Sequence, residues 1–199
     1  VRALSAHWQH VCALRDDETV WCWGAGGQGQ LGDGMARDTP LPVRVPGLDA
    51  VTDLATGLQH TCAATRAEGL YCWGANTSSQ LGREASPMEA RPVRVPIVTN
   101  PVAVAAGSAH TCAIRQGGAT LCWGANGAGQ LGDGSTRTLP IPVRVDGLGA
   151  ATDVVAGGAF TCARGGGDGV FCWGDDRYGQ LAIARTTSRP RAAPVASLA

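Results

Sequence analysis

Short segments of alternating polarity run along the whole chain and predict β-strands. Small or apolar side chains alternate with polar ones over residues 109–115, and a second short strand is predicted over 120–124. The turn residues between them, 116–119, are typical of a β-hairpin. A run of small apolar residues precedes the hairpin at 102–107, and a Pro-Val-Arg-Val segment follows it at 142–145. The pattern predicts four strands, and the lack of a sustained 3.6-residue apolar period excludes a helical repeat.

The same unit recurs at a fixed step along the chain, in the four copies 1–50, 51–100, 101–150 and 151–199. The residues that keep the step are two cysteines, a tryptophan and a Gln-Leu pair, for example Cys112, Cys122, Trp123 and Gln130-Leu131 in the third copy. Roughly four strands in about 50 residues make one blade of a β-propeller. We therefore predict an all-β protein, with residues 1–199 forming a single propeller-type repeat domain of four blades.

The repeated residues also resemble a known family. His60-Thr61-Cys62-Ala63, the segment 121–126 (Leu-Cys-Trp-Gly-Ala-Asn) and the segment 129–134 (Gly-Gln-Leu-Gly-Asp-Gly) are similar to the regulator of chromosome condensation repeat. Tryptophan is followed by glycine in every copy, whereas WD repeats end in Trp-Asp, and the paired glycines of kelch repeats are missing. The resemblance covers essentially the whole chain and implies a β-propeller, most often of seven blades.

The presence of only four copies leaves three arrangements open. The chain could close as a four-bladed propeller, form part of a longer propeller, or associate head to tail with other copies. The fourth copy differs from the others, since Gly132-Asp133-Gly134 is replaced by Ala182-Ile183-Ala184 and the last strand is shifted to Pro194-Val195. A blade with the same neighbour as the others should keep their contact residues. We therefore predict that the chain does not close into a four-bladed ring by itself and forms part of a larger or oligomeric ring.

The eight cysteines form one pair per copy, each placed symmetrically about a hairpin turn. Residues facing each other across antiparallel strands lie within disulfide reach. We therefore predict four disulfides within hairpins: Cys12–Cys22, Cys62–Cys72, Cys112–Cys122 and Cys162–Cys172. Zinc binding through the His-x-Cys segments is the alternative, but the nine residues between the cysteines are too many for a zinc knuckle, and Phe160 replaces the histidine in the fourth copy. Disulfides indicate a secreted, periplasmic or cell-surface protein.

Composition and charge exclude several functions. The chain has 16 basic and 16 acidic residues, and every basic residue is arginine, which favours a bacterial source. Without a basic excess we expect no nucleic-acid partner. Without a long apolar run we expect no membrane insertion. The paired cysteines leave no free thiol, and neither the serines nor the adjacent aspartates form a catalytic arrangement, so we expect neither enzymatic activity nor a cofactor or metal.

The candidate binding residues lie where the copies differ. His7 occupies a position that is glycine in the other copies, and Trp8 has Leu58 as its counterpart in the second copy. An unmatched aromatic on a propeller rim is a plausible binding anchor, although Trp8 could also cap the first blade. The variable turns 34–41, 83–91, 134–141 and 182–190 supply the remaining candidates, Arg37, Arg137 and Arg185. We interpret the recurring His10, His60 and His110 as structural residues that form hydrogen bonds between blades.

A common frame with differing turns is typical of a recognition surface. We therefore predict a secreted or surface-exposed binding module with an unidentified protein partner. The resemblance itself offers two roles: some eukaryotic members are exchange factors for a small nuclear GTPase and bind nucleosomes, and some secreted bacterial members inhibit β-lactamases. Four disulfides contradict the first role and are compatible with the second. The alternative is a structural protein whose repeats self-associate head to tail into a ring or a fibre.

Overall fold

The computed structural model describes residues 1–66, 69–84, 86–167, 169–183 and 187–196. Within these ranges, sixteen β-strands form four separate sheets of four strands. The strands, blade by blade, are β1 (Ala3–His7), β2 (His10–Leu14), β3 (Val20–Gly24) and β4 (Thr39–Arg44); β5 (Val51–Thr56), β6 (His60–Thr65), β7 (Gly69–Ala75) and β8 (Met88–Val95); β9 (Pro101–Ala106), β10 (His110–Arg115), β11 (Thr120–Gly124) and β12 (Leu139–Arg144); β13 (Ala151–Ala156), β14 (Phe160–Gly165), β15 (Val170–Gly174) and β16 (Arg189–Pro194).

Each sheet is an antiparallel meander in which the strands pair in chain order. The first strands of successive blades, β1, β5, β9 and β13, contact one another in that order, so they line the inner side of an arc. The fourth strands lie at the outer edge of each sheet. This arrangement of four meanders is a β-propeller, as the repeat pattern predicts.

Each tryptophan of the repeat lies at an irregularity of the third strand. The register of β11 against β12 shifts between Cys122 and Gly124, which places Trp123 at a bulge, and the other three blades show the same shift. Gly124 has a φ of 99°, and a Cβ there would lie 2.6 Å from the carbonyl oxygen of Ala109. Glycine is therefore required after the tryptophan, and the bulge redirects the indole out of its own sheet.

The hydrophobic core lies between blades. Leu14 and Leu31 of the first blade pack with Leu54 and Trp73 of the second, and similar clusters join the second blade to the third and the third to the fourth. Burial of these side chains, at roughly 25 cal/mol per Å² of apolar surface, is the main force that holds neighbouring sheets face to face.

The first and last blades each leave one face of their sheet uncovered. Leu4 of β1 is 68% exposed, whereas its counterpart Leu54 in β5 is 8% exposed. At the other end, Val155 of β13 is 58% exposed, whereas its counterpart Ala55 is 7% exposed. Trp23 is only partly buried, although Trp73 and the later tryptophans are fully buried. The arc is therefore open, in agreement with the prediction that four blades do not close on themselves.

Candidate functional site

The strand order brings one set of connections to a single face of the arc. Because the strands of each blade are antiparallel, the turn after the first strand and the loop after the third strand emerge on the same side. We call this side the loop face. It is formed by the short turns 8–9, 57–59, 107–109 and 157–159 and by the described parts of the longer loops 25–38, 76–87, 125–138 and 175–188.

Buried side chains hold the long loops in fixed conformations. The Asn126 side chain accepts a hydrogen bond from the Leu131 amide (3.0 Å) and donates one to the Ser135 carbonyl oxygen (3.1 Å). Asn76 accepts the equivalent bond from the Leu81 amide (3.0 Å), and Asp176 accepts it from the Leu181 amide (2.8 Å). These three loops are therefore anchored at their bases, and in the first loop, where Gly26 stands at this position, the Gly26 amide donates to the Asp38 side chain instead (2.9 Å). The side chains near the loop tips are thus presented on a fixed support.

A four-residue hydrogen-bond network connects each pair of neighbouring blades. Trp123 donates its indole N–H to the main-chain oxygen of Gln80 in the preceding blade (2.9 Å), and the Thr111 hydroxyl donates to the same oxygen (2.8 Å). His60 of the preceding blade contacts the Thr111 hydroxyl through Nε2 (3.0 Å). The equivalent atoms make the same contacts at the junctions of the first blade with the second and of the third with the fourth.

The geometry of this network assigns the histidine tautomer. The hydroxyl hydrogen of Thr111 is already donated to Gln80, so Thr111 must accept from His60 and the ring proton lies on Nε2. Burial lowers the pKa of His60 to about 3 and the pKa of His10 and His110 to about 4. The histidines are therefore neutral at physiological pH and join neighbouring blades, which is the structural role predicted for them.

The disulfides stabilise the hairpins beneath this network. Cys112 and Cys122 lie directly opposite each other in β10 and β11, with a Cα–Cα distance of 4.1 Å, and they form a disulfide. The other three blades contain the equivalent bonds between the cysteines that the spacing pairs.

The candidate residues of the first two blades lie close to the inner rim of the loop face. Trp8 is 75% exposed and occupies a two-residue turn between His7 and His10 with a φ of 52°. His7 is partly buried, and burial lowers its pKa. Leu58 is also partly buried, and its amide donates to the Gly107 carbonyl oxygen of the next blade (3.3 Å). Trp8 is therefore the most accessible of these side chains.

The arginine candidates lie in the long loops of the same face. Arg37 and Arg137 are exposed, at equivalent positions of the first and third blades. Arg185 lies outside the described residues. Tyr178 is a further exposed aromatic of this face, 88% exposed, that the sequence analysis did not single out. Its signal was available in the repeat, because the other copies have Gln28, Ser78 and Ala128 at this position.

The part of the chain that the structure describes has neither a metal-binding cluster nor a membrane-spanning helix. In these residues, no three histidine, cysteine, aspartate or glutamate side chains lie together in a way that could hold a metal ion. The same part of the chain contains no helix that is long and apolar enough to cross a membrane.

Solved structures with similar folds are larger than this chain. Prp20p from Saccharomyces cerevisiae, whose binding to Gsp1p and histones has been described, has 22% sequence identity and a TM-score of 0.85 over 97% of this chain and 50% of its own. Human WBSCR16 has 21% identity and a TM-score of 0.83, over 96% of this chain and 50% of its own. The ectodomain of the Physcomitrella patens receptor kinase CR4 has 24% identity and a TM-score of 0.58, over 87% and 40%. The chain thus spans about half the length of the first two.

Sequence comparison identifies the repeat itself. No curated protein sequence matches the chain significantly. A family model of the regulator of chromosome condensation (RCC1) repeat matches residues 17–64, 68–114 and 117–164, and a second model of this repeat matches 1–30, 51–80, 102–130 and 151–180. These matches cover most of the chain and include the tryptophans and glutamines of the junction network, so the chain belongs to the family of proteins built from regulator of chromosome condensation (RCC1) repeats.

Proposed function

We propose that this chain is a protein-binding module of an oxidising compartment and that it binds its partner through the loop face. The observation that carries the proposal is the contrast between a frame repeated in every blade and a loop face whose side chains differ from blade to blade. On this face Trp8 and Tyr178 expose large aromatic surfaces, which are typical anchors of protein interfaces.

The comparisons support a binding role of this kind. Propellers of the regulator of chromosome condensation type are generally binding or regulatory modules, and Prp20p is described by its binding to Gsp1p and histones. A protein partner and the lack of an enzymatic activity are therefore part of the proposal. The partner is described here only by its chemistry. It is a protein whose surface can bind exposed aromatic and arginine side chains.

The disulfides support the oxidising compartment. Reducing conditions in the cytosol keep most thiols free, whereas secreted, periplasmic and surface proteins retain disulfides. Each blade of this chain contains one disulfide. The fold is compatible with an extracellular position, because one of the similar structures is the ectodomain of a receptor kinase.

Selection of peptide ligands tests the binding role. We would select peptides that bind the immobilised chain from a phage-displayed random library. Peptides selected in this way tend to bind the surface patch that is most easily desolvated. Replacement of Trp8 by alanine should weaken the selected peptides by about tenfold or more, which is typical of an interface anchor. The variants Arg37→Ala and Arg137→Ala should weaken them less.

The matched control is Ile97→Ala, because Ile97 is also an exposed apolar residue but lies between β8 and β9, on the opposite face. Its replacement should leave peptide binding unchanged. Peptides whose affinity depends on Ile97 and is unaffected by Trp8 would overturn the assignment of the binding site to the loop face.

A further inference from the structure

The three junctions between neighbouring blades have the same contact geometry. At each junction the preceding blade contributes a Gln-Leu-Gly turn, and the following blade contributes the tryptophan and glycine of its third-strand bulge. At the second junction, for example, the Gln80 oxygen accepts from Trp123, and a Cβ on Gly124 would lie 3.2 Å from the Gln80 Cα. The turn of one blade is therefore seated directly against the bulge of the next.

The uncovered face of the first blade has the bulge side of such a junction, against which a turn is seated. A cleft of about 400 Å³ lies there, and Val11, Trp23 and Gly24 are among the residues that line it. Trp8 of the proposed binding site lines it as well, so a second copy in this cleft would compete with a partner bound at Trp8. Trp23 and Gly24 correspond to Trp123 and Gly124 of the interior junction. Among the described residues, the Trp23 indole N–H has no hydrogen-bond acceptor.

The uncovered face of the fourth blade has the turn side of such a junction. The Gln180 side chain accepts from the Tyr178 amide (3.0 Å), and the Ala182 amide donates to the Gly179 carbonyl oxygen (3.0 Å). The first blade has the same two bonds in its own turn, at 2.9 Å and 3.1 Å. The turn that contains Gln180 thus keeps the conformation of the turns that are seated at interior junctions, and its main-chain oxygen is available to an indole.

Two replacements at these faces match each other. Interior junctions join a histidine to a threonine, but Val11 stands at the threonine position of the first blade and Phe160 at the histidine position of the fourth. The histidine of an ordinary blade placed on Val11 would leave a buried N–H unpaired, which is unfavourable. The fourth is the one blade of this chain without that histidine, so Phe160 would meet Val11 as an apolar partner where a fourth blade packs against a first blade.

We propose that two copies of this chain associate head to tail, with the Gln180 turn of each copy seated in the Val11–Trp23–Gly24 cleft of the other. Two such contacts related by a two-fold axis leave no face uncovered and close a ring of eight blades, within the range known for propellers.

Ala182 makes the contact less tight than the interior junctions. The other blades have glycine here, and a Cβ on Gly32, Gly82 or Gly132 would lie 2.6, 3.2 or 2.8 Å from the indole nitrogen of the next blade. Trp23 must therefore lie slightly farther from Ala182 than the interior tryptophans lie from these glycines. Removal of the Ala182 methyl group should strengthen the association.

Analytical ultracentrifugation of the 199-residue chain tests the proposal. We expect a species of twice the chain mass that dissociates on dilution. Phe160→His should weaken the dimer by about tenfold, because its N–H would face Val11 in a buried contact. Val11→Thr in the same chain should restore the affinity to within about threefold of the original, because it recreates the interior pair. Ala182→Gly should lower the dissociation constant.

The control is Ile141→Ala, since Ile141 is exposed on β12 of an interior blade and its replacement should leave the dissociation constant unchanged. Thermal unfolding of each variant separates a weaker contact from a failure to fold, and Ala182→Gly tests the same contact in the opposite direction. The proposal is overturned by a single-chain mass at concentrations up to about 100 μM, by assemblies larger than two chains, or by a Phe160→His defect that Val11→Thr does not rescue. The last result is the one expected if the two faces meet different blades of a longer propeller.

Discussion

The interior junctions and the two uncovered faces of the arc use equivalent positions of the repeat in different surroundings. At an interior junction Trp123 is fully buried and joined to the preceding blade, whereas Trp23 at the first face is partly exposed and its indole N–H has no acceptor among the described residues. His60 and Thr111 join two blades, but the corresponding positions at the uncovered faces are Phe160 and Val11. The repeated residues therefore serve the contact between blades rather than the individual blade.

The largest expected difference concerns the tryptophans. Trp123→Ala should reduce the free energy of unfolding by about 3–5 kcal/mol, because it removes a fully buried indole and its hydrogen bond. Trp23→Ala should cost less than half as much when both are measured by urea unfolding at concentrations where single chains predominate. Equal losses would contradict the view that the junction, rather than the blade, gives the tryptophan its role.

The disulfides come next in expected size. Serine at both Cys112 and Cys122 should lower the free energy of unfolding by up to about 3 kcal/mol, because the bond closes a loop of roughly 11 residues in the unfolded chain. Residual hairpin structure in the unfolded state would reduce this loss. Non-reducing mass spectrometry of the unmodified chain should recover all eight cysteines as pairs within hairpins, and pairs between blades would refute the register of the strands.

The histidine–threonine pairs should show a smaller effect that depends on both partners. Thr111→Val leaves the buried His60 N–H without an acceptor and should cost about 1–3 kcal/mol in urea unfolding. Combined with His60→Phe, it converts an interior junction to the pair found at the uncovered faces, and the double variant should lose less than Thr111→Val alone. The matched control, Val11→Thr at the uncovered face, should change the stability of the single chain by less than about 0.5 kcal/mol. A double variant that loses the sum of both single losses would show that the two residues are not coupled.

The same histidines predict a dependence of stability on pH. Their folded pKa values are about 3 to 4, below the ordinary value of 6.5, so the unfolded chain takes up protons first as the pH falls. Stability should therefore be complete above pH 6.5 and should decrease from there to about pH 3, the folded pKa of His60. Each histidine contributes a slope of at most about 1.4 kcal/mol per pH unit. The variant His110→Phe/Thr161→Val should reduce the slope of the unfolding free energy against pH by the contribution of one histidine. Urea unfolding at several pH values measures this slope. An unchanged slope would show that other groups cause the pH dependence.

Much of the fold could be predicted because its information is periodic. The recurrence of cysteines, tryptophans and Gln-Leu pairs predicts four blades, and symmetry about each turn pairs Cys112 with Cys122. The candidate site was only partly accessible in this way. Trp8 was found because it breaks the repeat pattern, but Tyr178 breaks it as well and became prominent only through its exposure of 88%. Exposure depends on the neighbouring blades and loops, so the spacing of residues along the chain does not determine it.

The number of blades, the strand pairing within them and the disulfides can be predicted from the sequence, because they depend on contacts between residues close in the chain. Which atoms meet between blades is visible only in the folded protein. The structure showed that the Gln80 oxygen accepts from both Trp123 and Thr111, and that His60 carries its proton on Nε2. It also placed Val11 in the cleft of the first uncovered face, where an interior junction has a threonine. Such contacts join residues of different blades that are 31 to 51 positions apart in the chain, and their geometry depends on how the sheets pack rather than on any local pattern.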